Sequence, residues 1–131
     1  MVGQKDKSDY SGHEVSDHLT QLEQKHAKIA QKHGQEIKRI GQELQEKGVS
    51  EERGKKIEEY GQKIKELGES SQKKAESAEA QDGESSNQTF ESAKIDHSKA
   101  VSLHVKVNKE FLKASAERME KANEMQENAE E

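Results

Sequence analysis

The chain has 131 residues, of which 27% are hydrophobic, 37% are charged and 3% are aromatic. A typical globular domain is about 45–50% apolar, so this composition excludes one large core and favours long helices with narrow apolar faces. The formal net charge of −5 is spread along the chain, and no segment is basic enough to indicate nucleic-acid binding. Cysteine is absent, which excludes disulfides and Cys-ligated zinc. No apolar run approaches the roughly 18 residues of a membrane span.

The N-terminal residues are polar and aperiodic, which predicts a disordered arm over 1–11. They contain no apolar leader, so we expect a cytoplasmic protein or one exported by a leaderless, specialised route. Ser11 and Glu14 have the spacing of a capping box, which predicts a helix from about residue 12 to residue 47. Its apolar positions recur every three or four residues: Val15, Leu19, Leu22, Ile29, Ile37, Ile40 and Leu44.

The segment KGVSEE (47–52) predicts a turn near 48–50. Gly48 is expected in the left-handed conformation, Val49 as a hydrophobic staple and Ser50 as the N-cap of the next helix. A connection this short makes two helices antiparallel neighbours, so we expect a helical hairpin over 12–80.

After the hairpin, the composition of residues 81–88 predicts a linker, followed by a third helix over 89–131 with an acidic C-terminal tail. Within it, Val101, Leu103, Val105 and Val107 alternate as in a strand. The helical flanks favour helix over 100–108, although the alternation leaves strand open. The fold class expected is all-α, a three-helix or coiled-coil-like bundle.

A seven-residue repeat runs through both hairpin helices: QKHAKIA, QKHGQEI and KRIGQEL, then EERGKKI, EEYGQKI and KELGESS. Its fourth position is mostly glycine, at Gly34, Gly41, Gly61 and Gly68 among others. A glycine inside a helix costs about 1 kcal/mol relative to alanine. We therefore interpret these four glycines as helix-packing residues that let the two backbones approach closely. The alternative is a duplicated heptad with glycine tolerated on a solvated face.

Candidate chemical sites are few. His26 and His33 lie seven residues apart, as do His97 and His104, so four imidazoles would share one face if the third helix packs on the first. Glu23 and His26 also have the Glu-x-x-His spacing of di-iron bundles, but no second such pair exists on another helix. The simpler interpretation is that histidine fills polar positions between helices. We therefore expect no catalytic residues and no cofactor, with these histidines as the metal-ligand candidates.

The composition indicates a non-enzymatic interaction protein, such as an adaptor or a chaperone-like factor, because too few apolar residues are present to enclose a substrate pocket. Val101, Val105 and Leu112 form a stripe separate from Leu103, Val107 and Phe111, and the first stripe is the predicted partner interface. Its occupant would be a protein helix or a second copy of the chain. A metal-binding or pH-responsive bundle is a further alternative.

The polar arm, hairpin and tail resemble in outline the small helical proteins of bacterial specialised secretion systems, although the Trp-x-Gly turn of one such group is missing. The terminal segment MEKANEMQENAEE is similar to the acidic C-terminal export signals of type IV effectors. The hydrophilic composition, without Cys or Trp, also resembles desiccation-stress proteins. That last resemblance implies a chain that is disordered until it is dried or bound.

Overall fold

A computed structural model describes residues 16–48 and 50–130, which form three helices. They are α1 (Asp17–Glu46), α2 (Glu51–Ala80) and α3 (Gly83–Glu130). The hairpin of α1 and α2 is antiparallel, and α3 folds back along α2, so that α3 runs parallel to α1. The protein is an all-α three-helix bundle, and the alternating stretch 100–108 is helical. The predicted arm over 1–11 lies outside the described residues.

The described part of α1 begins at a local cap. The side chain of Ser16 accepts a hydrogen bond from the backbone N–H of Leu19 at 3.3 Å. This satisfies one of the N–H groups that have no partner within the helix. The predicted capping box of Ser11 and Glu14 lies outside the described residues.

The turn between α1 and α2 depends on Gly48, which has the expected left-handed conformation with φ +63°. Val49 is outside the described residues. Ser50 is the N-cap residue of α2, as predicted, and its carbonyl accepts from the N–H of Gly54 at 2.8 Å. Its side chain makes no cap bond, because the hydroxyl donates to the carboxylate of Glu117 on α3. Because the hydroxyl is used to hold α3, the start of α2 relies on the acidic residues Glu51 and Glu52, which the helix dipole favours there.

The predicted linker over 81–88 is also wrong. Only Gln81 and Asp82 separate α2 from α3, which begins at Gly83 with φ +60°. The hydroxyl of Ser86 donates to the carbonyl of Ala78 at 2.7 Å, and that of Thr89 donates to the side chain of Gln81 at 2.9 Å. Side chains that would suit a loop therefore bind the end of α2 from the first turns of α3.

The glycines of the heptads bring α1 and α2 into backbone contact. A Cβ atom on Gly41 would lie 2.4 Å from the backbone nitrogen of Glu58, and one on Gly61 would lie 2.4 Å from that of Lys38. Gly34 and Gly68 are equally close to the facing backbone, at 2.5 Å and 2.8 Å. No ordinary side chain fits these positions, so the glycines set the distance between the helices.

A ladder of side-chain hydrogen bonds flanks this contact, which we call the Gln–Glu ladder. At one end Gln42 and Gln45 donate to Glu58 at 3.0 Å and 2.7 Å. At the other end Gln21 and Gln24 donate to Glu79 at 2.9 Å and 2.8 Å, in the same geometry three heptads away. Between them Gln31 donates to Gln72 at 2.6 Å. The sequence repeat thus becomes a repeat of interhelical bonds.

The neighbouring face of α2 packs against α3. The core cluster lies between the three helices and consists of Ile37 of α1, Ile57 and Ile64 of α2, and Ala100 and Val107 of α3. Small residues recur at heptad spacing on α3, with Ala93, Ala100 and Ala114 all buried. The core is narrow, as the low apolar content requires.

Two buried carboxylates of α3 interrupt this core and find partners on α2. Asp96 accepts from the hydroxyl of Ser70 at 2.6 Å and pairs with Lys74 at 2.9 Å. Glu110 accepts from Arg53 at 3.2 Å. A buried carboxylate is costly without such partners, so these pairs fix the register of α3 on α2.

The C-terminal end of α3 extends past the hairpin turn. α3 has 48 residues and α2 has 30, which correspond to lengths of about 72 Å and about 45 Å. Lys121 reaches the carbonyl of Gly48 at 3.4 Å, near the tip of the hairpin. Beyond this point Met125 is 71% exposed. Across the described ranges, none of the helices combines the length and hydropathy needed to cross a bilayer.

We expect Gly41→Ala and Gly61→Ala each to destabilise the protein. In an open helix this change would stabilise by about 1 kcal/mol. Here the new methyl group meets backbone 2.4 Å away, and such overpacking costs about 1–3 kcal/mol. A thermal melt followed by circular dichroism measures the sign. Gly48→Ala is the matched control, since nothing lies within 4 Å of it and its cost is limited to left-handed strain. A rise in melting temperature for Gly41→Ala would contradict close packing.

The Gln–Glu ladder predicts a loss of stability in acid. Hydrogen bonds from Gln45 and Gln42 lower the pKa of Glu58 below its ordinary value of 4.5. Those from Gln21 and Gln24 lower the pKa of Glu79 in the same way. A lowered pKa gives stability that is complete above pH 4.5 and is lost as the pH falls through the folded-state value.

The measurement is urea unfolding at a series of pH values on the acid side of 4.5. The double variant Glu58→Gln/Glu79→Gln should lose less stability in acid than the wild type. Its amide oxygen can accept only one of the two bonds at each site, but it does not titrate. The matched control replaces exposed Glu59 and Glu69 on α2 with Gln. Equal acid slopes for the wild type and the ladder variant would show that the ladder does not contribute.

Candidate functional site

The open side of the bundle is a groove between α1 and α3. Both helices pack on α2, but they touch one another at few points. The groove between them has a volume of about 250 Å³ and is lined by His26, Ile29, Ala30, His33, His97, Ala100, Val101 and His104. All four histidines singled out in the sequence therefore lie in one place.

The parallel course of α1 and α3 pairs these histidines in two rungs. The ring of His26 lies edge-on to that of His97, with 5.5 Å between centroids. The ring of His33 lies edge-on to that of His104 at 5.9 Å. Because both helices carry histidine at the same seven-residue spacing, a match at one rung produces a match at the next.

The first rung includes an acidic residue, Glu23, whose carboxylate is buried. Its Oε2 lies 2.6 Å from Nδ1 of His97 and 3.5 Å from the hydroxyl of Ser71. One ligand atom each from Glu23, His26 and His97 can be chosen so that all lie within 4.8 Å of one another. Sequence reasoning noted the Glu-x-x-His spacing but did not select Glu23 as a site residue. Its pairing with His97 depends on α3, which the local sequence does not position.

The second rung lacks a carboxylate. Nδ1 of His104 lies 2.9 Å from the carbonyl of Ala100, so this nitrogen carries the proton and donates. Nε2 of His104 is buried with no hydrogen-bond partner in the described structure. His33 is exposed at the rim of the groove.

The predicted partner-interface residues are exposed on α3. Val101 and Val105 are each 52% exposed, and Leu112 is 72% exposed. Met119, 68% exposed, continues the same helical face. We call these four residues the α3 stripe. Val107 is buried and Leu103 and Phe111 are partly buried, because their face of α3 packs on α2.

Part of the predicted apolar face of α1 is exposed as well. Leu19, Leu22 and Ile29 are between 40% and 49% exposed, and Ile29 lines the groove. The backbone contact with α2 uses the adjacent glycine face, with Gly34, Gly41, Gly61 and Gly68 all buried there. The glycines therefore lie in the hairpin contact, outside the groove, whereas Leu19, Leu22 and Ile29 stay exposed.

Basic and acidic residues are concentrated in different parts of α3. Residues 94–113 contain five lysines and two acidic residues, Asp96 and Glu110, both of which are buried. Residues 114–131 contain six glutamates and two basic residues. The exposed surface beside the α3 stripe is thus basic, whereas the end that projects beyond the hairpin is acidic.

Comparison with known protein families, with curated proteins and with solved structures finds no match to this chain.

Proposed function

We propose that the protein is a non-enzymatic interaction protein that binds a helix through the α3 stripe, and that the helix comes from a second copy of the chain. The observation that carries the proposal is the row of large apolar side chains, each more than half exposed, along one face of α3. An exposed apolar row of this length is typical of a surface that binds a partner. Its helical spacing suits an amphipathic helix.

The distribution of charge along α3 supports a second copy of the chain as the partner that binds the α3 stripe. The α3 stripe is flanked by the lysines of residues 94–113, so it favours an acidic amphipathic helix. The projecting end of α3 has this chemistry, with six glutamates over 114–131 and the exposed Met119 and Met125. An antiparallel pair of α3 helices would place the acidic end of each copy on the basic segment of the other. Such a contact is symmetric and closes as a dimer.

The open geometry of the groove supports a binding role over catalysis. Catalytic and ligand pockets usually bury about 70–90% of a small ligand. The groove between α1 and α3 instead lies open along the surface. Whether the protein acts in the cytoplasm or after leaderless export stays a prediction.

Sedimentation equilibrium of the purified chain should show a dimer in reversible exchange with the monomer at micromolar concentrations. Leu112→Glu should shift the equilibrium to monomer, because it places a charge in the centre of the α3 stripe. Ile95→Glu is the matched control: Ile95 is 55% exposed on α3 but lies off the stripe. A wild-type chain that stays monomeric while remaining helical would overturn the second copy as occupant and favour a different helical partner.

The same equilibrium should respond to charge. Raising the salt concentration from about 0.15 M to about 1 M screens exposed charges, so the electrostatic part of the dimer should weaken. The triple variant Glu120→Gln/Glu124→Gln/Glu127→Gln, made in the exposed acidic end, should weaken the dimer at low salt and reduce its salt dependence. Unchanged salt dependence in this variant would contradict pairing between the acidic and basic segments.

A far-UV circular dichroism melt tests the class of protein. A folded bundle should give a strongly helical spectrum that is lost cooperatively on heating. The stress-protectant alternative predicts a coil spectrum at room temperature, and observing it would overturn the interaction proposal.

A further inference from the structure

We propose that Glu23, His26 and His97 form a binding site for a divalent transition-metal ion such as Zn²⁺, which links α1 to α3. One oxygen and two imidazole nitrogens are a ligand set that zinc accepts, and three protein ligands leave a fourth position for water or another donor. All three ligands come from one chain, so the site does not rest on the proposed dimer.

The distances suit such a site after a small adjustment. Ligand atoms that share a tetrahedral zinc ion lie about 3.3–3.5 Å apart, given metal–ligand bonds of about 2.0–2.2 Å. The three candidate atoms already lie within 4.8 Å of one another. His26 is exposed, so its side chain can rotate toward the other two without disturbing the core. Oε2 of Glu23 and Nδ1 of His97 lie 2.6 Å apart and would separate slightly to share one ion.

Burial of Glu23 is a second reason to expect a cation here. A buried carboxylate requires an opposite charge nearby, and the groups that face it are His97 at 2.6 Å and Ser71 at 3.5 Å. Lys94 lies beside the same depression on α3, but its ammonium is 3.5 Å from Glu91 and stacks over Phe90. A metal ion would replace the proton that His97 shares with Glu23 and add a bond to His26.

The position of the site gives it a structural consequence. α1 and α3 touch at few points, and each is held mainly by α2. A metal ion bound to Glu23 and His26 of α1 and to His97 of α3 would fasten these two helices directly. Because the metal binds the folded arrangement, it should raise the melting temperature as its concentration rises.

The test is a calorimetric titration of the full-length chain, without an affinity tag, with Zn²⁺. We expect one ion per chain and a matching rise in melting temperature. Mg²⁺ should have no such effect, because it prefers oxygen ligands and keeps its water shell. The variants His26→Ala and Glu23→Gln should each bind Zn²⁺ roughly tenfold more weakly or worse, because changing a direct ligand should cost at least as much as losing an outer-shell partner. A His26→Ala chain with a wild-type helical spectrum shows that the loss is local.

Two matched variants separate this site from general histidine binding. His18→Ala removes an exposed histidine of α1 outside the cluster and should leave the affinity unchanged. His33→Ala alters the second rung and should also leave the tight ion in place. The proposal is overturned if the wild type binds no stoichiometric Zn²⁺. It is equally overturned if binding survives His26→Ala or is lost in His33→Ala, because the ion would then lie elsewhere.

Discussion

Backbone contact between α1 and α2 is the constraint on which the rest of the structure depends. Glycine at heptad spacing lets the two helices approach until a Cβ atom would meet the facing backbone at 2.4–2.8 Å. Contact along this face gives α1 few large side chains to bury. The hydrogen bonds from α1 glutamines to Glu58 and Glu79 then hold the hairpin at its edge. A chain with 27% hydrophobic residues can form such a hairpin because it requires so little apolar volume.

The same contact between α1 and α2 determines which apolar side chains of α1 stay exposed. Since α1 offers its glycine face to α2, its bulky residues Leu22 and Ile29 remain partly exposed beside α3. α3 packs on the neighbouring face of α2 through Ala93, Ala100 and Val107. Between α1 and α3 lies a groove that holds both the histidine rungs and the start of the α3 stripe. The proposed metal site and the proposed helix-binding stripe thus lie on the side that α2 does not cover, and separate variants can test them.

The buried polar residues mainly fix the register of α3 on α2, and they contribute less to the stability of the bundle. Asp96 pairs with Lys74, and Glu110 pairs with Arg53, one near each end of the α2–α3 contact. A shift of α3 by one heptad would leave these carboxylates buried without partners, at a cost that a narrow core cannot offset. The matched histidine rungs follow from the same register, because the position of α3 on α2 fixes where His97 and His104 lie relative to α1.

The sequence by itself determined the helices, the turn at Gly48 and the glycine repeat, because each depends on residues close together in the chain. It also placed His26 with His33 and His97 with His104, since a seven-residue spacing keeps a side chain on one helical face. The sequence did not show that Glu23 lies beside His97 or that the hydroxyl of Ser50 donates to Glu117. It also did not show that residues 83–88 belong to α3 instead of a linker. Those outcomes depend on contacts between residues 8 to 74 positions apart. The tertiary structure decided them, because the packing of α3 on α2 determines which polar groups are buried together and must satisfy one another.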